Sequence, residues 1–295
     1  MTDIVNMPEQ QPKLKRESLW SKAFKKFSHD RIGLISLFVV LIYMGIAIAV
    51  WLGWLGNGWD QMITNGYQGP SAAHWFGTNI NGQDIFARAM YSTKTAFSVG
   101  IIVACSATFI GAITGALMGY FNSTVIDEFI MWIMNCLDCI PFYLLVAAIA
   151  FALPDNTYSM HIAMTATFWT GTARVVRGEM IKLKNMEFTE AARALGVPTY
   201  KIIFKHLLPN TSHIILVNMS LLFISAIKAE VILSFLGIGV KNGISWGLML
   251  AAAGGEVTGG HFCNFFAASG MLFVLVLAFN MFSDSLQDAL DPRTV

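Results

Sequence analysis

Charge is scarce in this chain. Only 13% of its 295 residues are charged, against about a quarter in an ordinary soluble domain, while 55% are hydrophobic and mean hydropathy is +0.59. Such a composition excludes a soluble enzyme and places the chain in a membrane. Cysteine is sparse as well: four thiols give no disulfide framework. Cys136 and Cys139 form a C-x-x-C within an apolar run, which reads as a pair of packing thiols, because zinc or redox work needs accessible thiolates. The six histidines show no H-E-x-x-H or similar cluster, so a bound metal has no support. A phosphate-cradling G-x-x-x-x-G-K-[ST] is missing too, so the chain carries no nucleotide site of its own. The string GISWG, residues 243 to 247, fits G-x-S-x-G, but no strand precedes Ser245 to build a nucleophile elbow. An intramembrane serine hydrolase is therefore the weaker enzyme alternative.

What the chain has in abundance is long apolar runs. A helix needs about 20 apolar residues to cross some 30 Å of hydrocarbon. Six segments qualify, at approximately 32–54, 96–120, 129–152, 157–173, 211–236 and 264–283. The fold class expected is therefore all-α, a polytopic membrane protein with six transmembrane helices. Residues 1–31 form a basic tail and 32–295 the membrane domain. No small-residue cleavage site closes the first run, so it reads as a retained anchor.

Lysine and arginine set the orientation. Lys13, Lys15, Arg16, Lys22, Lys25, Lys26 and Arg31 crowd the tail, and Arg174, Arg177, Lys182, Lys184, Arg193, Lys201 and Lys205 follow the fourth run. The opposite side holds Arg88, Lys94 and Lys241. Both termini are thus expected in the cytoplasm. Topology accounts for the basic residues, so a nucleic-acid partner is not implied. Within the tail, Trp20, Ala23, Phe24 and Phe27 recur at i, i+3, i+4 and i+7 between lysines, which suits a helix lying on membrane lipid in the headgroup plane.

Residues 187–210, EFTEAARALGVPTYKIIFKHLLPN, are unlike an ordinary connection. Phe188, Ala191, Ala192 and Leu195 make one helical stripe, and Tyr200, Ile203, Phe204 and Leu207 make another. Gly196 between them suits a left-handed helix end, Pro198 the start of the second helix and Pro209 its stop. The expectation is a bent pair of short amphipathic helices on the cytoplasmic side, docked on a protein.

Glu190, Ala191, Ala192, then Gly196, and further on Leu208 and Pro209, resemble the EAA loop of ABC importer permeases. His206 stands where isoleucine is usual, as in the peptide-transporter branch. HWFGTNINGQDIFAR at 74–88, AEVILSFLGIG at 229–239, SWGLML from Ser245 and DALDP at 288–292 look like the same branch. Together they cover about two thirds of the chain and resemble the C-type permease of a dipeptide or oligopeptide importer. The branch more often has Asp and Arg at Asn79 and Gln83, glycines at Ser283 and Ser285, and a Pro-Trp and a later Pro where Phe262, Cys263 and Ala268 stand.

The resemblance implies a type I importer permease of a bacterial cytoplasmic membrane, half of a heterodimer with a homologous second permease. It implies two cytoplasmic ATPases that bind ATP and Mg, an external solute-binding protein, and no cofactor in this chain. Glu190, Ala191, Ala192, Leu195, Gly196, Leu208 and Pro209 are then the residues that couple to the ATPase. Short peptides are the implied cargo, nickel or another small solute the alternative. A transporter independent of ATP is the rival from another class; it predicts repeat symmetry and broken helices at the midplane.

Three other features stand out. Gly111, Gly115 and Gly119 recur every four residues and offer a backbone-close face to another helix, of this chain or of its companion. Asp138, near the middle of the third run and just before Pro141, must face protein or water, either as a hydrogen-bonding group or lining the substrate path. Lys228 and Glu230 are expected near the outer end of the fifth run, snorkelling; Asp84 and Arg88 are expected to brace a short outer helix.

Overall fold

A computed structural model describes residues 19–63, 65–154, 156–241 and 243–290, with side chains from Ser21 onward. The basic tail before residue 19, with Lys13, Lys15 and Arg16, the Trp20 side chain, and Asp291 and Pro292 of DALDP lie outside that description.

The chain folds into helices, with no strand among the described residues. A short helix α1 (Leu19–Phe27) leads into α2 (Arg31–Trp51). Asp30 starts α2 by accepting the Ile32 N–H at 3.0 Å. Gly33, Ser36, Val40, Tyr43, Ala47 and Val50 are its buried residues, a repeat of three and four that turns one narrow face inward. The other faces keep Ile35, Phe38 and Ile42 exposed, as a helix in lipid does. In α1, Ala23 is buried and Phe27 meets Phe282 edge-on, while Phe24 faces outward.

The second run is longer than its apolar part. Helix α3 covers Ile85–Tyr120, beginning where Asp84 accepts the Ala87 N–H at 3.0 Å. Its tightest neighbour is α6 (Ser159–Lys184), and the glycine repeat makes the contact. A Cβ on Gly111 would stand 2.7 Å from the Trp169 carbonyl oxygen, one on Gly115 2.5 Å from that of Ala173, and one on Gly119 2.7 Å from that of Arg177. The repeat therefore meets a span of its own chain.

The third run is broken. Helices α4 (Val125–Asp138) and α5 (Phe142–Ala152) meet at 93° around Pro141, which cannot donate to the ladder of a helix continuing through it. Uninterrupted helices long and apolar enough to cross a membrane are α2, α3, α10 (Ser212–Phe235) and α12 (Cys263–Leu290). Of the six expected spans, 129–152 is a bent pair, and 157–173 is the apolar part of α6, whose later turns carry Arg174, Arg177, Glu179, Lys182 and Lys184. Both arginines lie inside that helix, where they bond to carboxylates of α4, and are not connecting-loop cations.

Helix α11 (Trp246–Thr258) closes the bundle on the expected outer side. Trp246 is fully buried and donates its indole N–H to the Ala89 carbonyl at 3.1 Å. Ser245 is buried and caps α11 by accepting the Leu248 N–H at 3.3 Å. Glu230 does not snorkel. Its side chain is 0% exposed, accepts a bond from the Ser234 hydroxyl at 2.5 Å and stands beside Ser245, whereas Lys228 is exposed. Asp84 and Arg88 do not brace each other: Asp84 binds His74 at 2.8 Å and Arg88 donates to Gln83, which also accepts from Asn79 at 2.9 Å. Cys136 and Cys139 are exposed, not packed.

Candidate functional site

The segment after α6 is held from within. At the α6 end, the Thr189 hydroxyl donates to the Leu183 carbonyl at 2.8 Å, pulling the start of α7 (Glu187–Ala194) against the helix before it. Thr189 is fully buried, a residue the apolar stripe did not single out. The end of α7 then reverses through two backbone bonds. Gly196 N–H donates to Arg193 at 3.0 Å and Val197 N–H to Ala192 at 3.1 Å, the paired pattern of a Schellman helix end. Gly196 has φ +73, and a Cβ there would meet nothing within 4 Å. Its conformation, not space, is what requires glycine.

The second helix begins at Pro198 and runs as α8 (Thr199–Lys201), a π-turn (Ile202–Leu207) and α9 (Leu208–Asn210), almost directly into α10. Pro209 was expected to end this helix and does not. In the π-turn Leu208 N–H reaches back five residues to Ile203, and Pro209 follows in the first turn of α9, where its missing N–H matters little. The Asn210 side chain also donates to the His206 carbonyl at 2.7 Å.

That extra residue per turn also re-aims the predicted stripe. Ile203 and Leu207 turn inward together with Ile202, against Ala116 and Tyr120 of α3 and Val176 and Met180 of α6. Tyr200 and Phe204 stay outside, 62% and 43% exposed. On α7 the split is similar. Ala192 packs on the small inner cluster with Val197 and Leu208, while Phe188, Glu190, Ala191 and Leu195 face out, Leu195 at 83% exposure. Glu190 and Leu195 thus share the outer surface, Ala192 and Leu208 the inner one, Gly196 the turn between them; Pro209 is exposed. The result is a firmly seated knob with an apolar crown rimmed by Arg193, Lys201 and Lys205.

Asp138 stands apart from this knob, at the last turn of α4. Its carboxylate receives Arg174 Nη2 at 2.5 Å and the Thr170 hydroxyl at 3.5 Å. A second ion pair ties the other end of α4 to α6: Arg177 donates through Nε and Nη2 to Asp127, both at 2.7 Å, and Asp127 also accepts the Ser123 N–H at 3.0 Å. Sequence spacing could not pair these residues, because the partners lie on different helices. Among the described residues no group of three or more His, Cys, Asp or Glu side chains gathers as metal ligands would.

Residues 107–295 match the family described as binding-protein-dependent transport system inner membrane component. The chain is 34% identical over 283 residues to the dipeptide transport system permease protein of Bacillus subtilis, covering 95% of this chain and 88% of that one. It is 34% identical over 280 residues to the oligopeptide transport system permease protein of the same organism, with 94% and 90% covered. A glutathione transport system permease protein of Pectobacterium atrosepticum is 33% identical over 282 residues, with 93% and 91% covered. The family match spans well over half of the chain and includes the whole 187–210 knob. The chain belongs to the inner membrane components of binding-protein-dependent transport systems, the permeases of ABC importers.

Proposed function

We propose that this chain pairs with a homologous second permease, that two cytoplasmic ATPases drive the pair, and that together they import short peptides delivered by an external solute-binding protein. The cargo rests on the relatives, whose names specify dipeptide, oligopeptide and glutathione transport. The drive rests on one observation: the outer crown of the knob is apolar and exposed, while its inner face is fixed to the ends of α3 and α6.

Leu195, largely exposed, would gain about 1.5–3 kcal/mol on full burial in a partner's groove, and the half-exposed Tyr200 and Phe204 would add less. Docked on an ATPase that closes around ATP and Mg, the crown follows the groove, and Ile202, Ile203 and Leu207 pass the displacement to α3 and α6. Glu190, Arg193, Lys201 and Lys205 surround the crown and set its register on the partner. On this reading residues 187–210 and both termini lie in the cytoplasm of a bacterial cell, the chain in its cytoplasmic membrane, and all nucleotide chemistry in the ATPases. Membership of the family supports this reading over an ATP-independent transporter or a serine hydrolase.

The test is reconstitution of the whole importer in proteoliposomes with Leu195→Asp in this chain. Peptide uptake should fall at least tenfold and the ATPases should co-purify poorly, since a carboxylate cannot be buried there without a partner. Undiminished uptake with the ATPases still bound would overturn the role of the crown. Absence of any peptide uptake by the wild-type importer would overturn the cargo.

A further inference from the structure

The Arg174–Asp138 pair is an unusual object on a membrane chain, because it lies on an open face of α6 just past that helix's apolar part. The two side chains are 51% and 43% exposed. Arg174 lies ten residues before Lys184 on α6, so about 15 Å of helix separates it from the basic end. Charge is costly against lipid tails, so the face that carries it meets water or polar groups.

The surroundings form a trough. Along α6, Gly171, Arg174, Gly178 and Lys182 recur at helical spacing on one uncovered face, and a Cβ on either glycine would have nothing within 4 Å. The end of α4 forms one wall, with Asn135 accepting from Arg174 at 3.3 Å beside Asp138. On the other flank of the same face, α6 joins α10 and α12 around a cavity of about 540 Å³ whose lining includes His213, Asn218 and Gln287. A bare glycine floor, with the polar end of α4 on one side and a mixed lining that also includes Val217, Leu221 and Leu290 on the other, admits a main chain more readily than bulky side chains would.

Only one corner of the guanidinium is used. Asp138 and Asn135 both take Nη2, so the remaining N–H donors point to no protein acceptor among the described residues. The free Nε–H and Nη1–H groups can each donate to a carboxylate oxygen, and the adjoining aspartate keeps oxygen lone pairs for an ammonium group. An extended dipeptide spans about 7 Å, short enough to bridge neighbouring groups.

We propose that the α6 trough is this chain's share of the passage through the membrane, and that Arg174 receives the terminal carboxylate of a peptide there while Asp138 receives its terminal ammonium. The assignment of the two ends rests on the peptide cargo proposed above; the passage itself does not.

Two measurements on the complete importer decide the matter. In the first, uptake of a free dipeptide is compared with uptake of its C-terminal amide and its N-acetyl form. Arg174→Gln should raise KM for the free dipeptide about tenfold, the loss of one charge-assisted bond, and erase its advantage over the amide. Asp138→Asn should do the same against the N-acetyl form, and Arg174→Lys should recover part of the loss. Variants that transport poorly yet keep the wild-type order of substrates would mark the pair as structural and overturn the assignment.

In the second, Gly178→Cys is placed in a chain whose four native cysteines are replaced by serine, and is treated with a charged thiol reagent. Labelling that a dipeptide slows supports a water-filled passage occupied by cargo. Protection that persists without peptide and disappears when the second permease is left out would identify the trough as a subunit interface and overturn the proposal. If the wild-type importer takes up no peptide yet Gly178→Cys is labelled, the cargo reading falls and the passage stands.

Discussion

Val197 donates its backbone N–H to the carbonyl of Ala192 at 3.1 Å, and both side chains pack on the same small cluster at the ends of α3 and α6. The helix reversal and its hydrophobic seat are therefore one construction. Gly196, between them, keeps the bond closed by adopting a conformation that costs other L-residues about 1–2 kcal/mol.

Gly196→Val should accordingly leave membrane insertion intact and damage transmission. The expected reading in proteoliposomes is ATP hydrolysis that continues while peptide uptake falls severalfold. Gly196→Asn, which tolerates the left-handed region better, should fall between valine and wild type. An unchanged ratio of uptake to hydrolysis in the valine variant would contradict this account.

The Asp127–Arg177 pair should matter more to stability than the Asp138–Arg174 pair. The Asp127 side chain is only 2% exposed and takes both arginine nitrogens. Removing the cation leaves a buried carboxylate with the Ser123 N–H but no counter-charge, at a cost of about 3 kcal/mol. Arg177→Ala should thus lower the unfolding temperature in detergent clearly, and Asp127→Asn with Arg177→Gln should recover much of it. Equal melting of Arg177→Ala and wild type would refute the assigned burial.

Gly115 offers a cleaner test of the α3–α6 contact. A Cβ there would stand 2.5 Å from the Ala173 carbonyl oxygen, and backbone on both sides leaves no flexible end to yield. Gly115→Val should cost about 1–3 kcal/mol or more through overpacking. Gly171→Ala, on the open face of α6, should cost almost nothing by the same melting measurement.

Ser245→Ala separates capping from chemistry. Loss of the cap on Leu248 should reduce stability by about 1 kcal/mol while peptide uptake, measured at saturating ATP, stays at the wild-type level. Abolished transport with normal melting would reopen a chemical role for the hydroxyl.

Some of this organisation was readable from residues alone, and the exceptions share a cause. The limits of α2 and α10, the turn at Gly196 and the apolar crown all follow from local rules: run length, a glycine ahead of a proline, a three-four repeat. The break at Pro141 was within reach, since a proline inside an apolar run marks a kink, yet the run's uninterrupted hydropathy concealed it. The inward turn of Ile202 was not legible, because it depends on the extra residue of a π-turn. Nor were the partners of Asp127 and Asp138, which sit on a helix about fifty and thirty-six residues away. In a membrane chain the lipid face is as apolar as the core, so composition cannot say which side of a helix has a neighbour. Glu230 shows the same limit: its position near a span end suggested an escape to water, and packing of α10 against α11 closed that route.

The glycine seam between α3 and α6 has a mechanical meaning. Along Gly111, Gly115 and Gly119 the α3 backbone rests directly on Thr172, Val176, Met180 and the α6 carbonyls, so little is left to absorb a shear and the pair tilts as a single stiff beam. Ile202 and Leu207 press on the foot of that beam, touching both helices at once. A small rotation imposed at the foot is therefore magnified toward the far end, some 35 residues of helix away from the load.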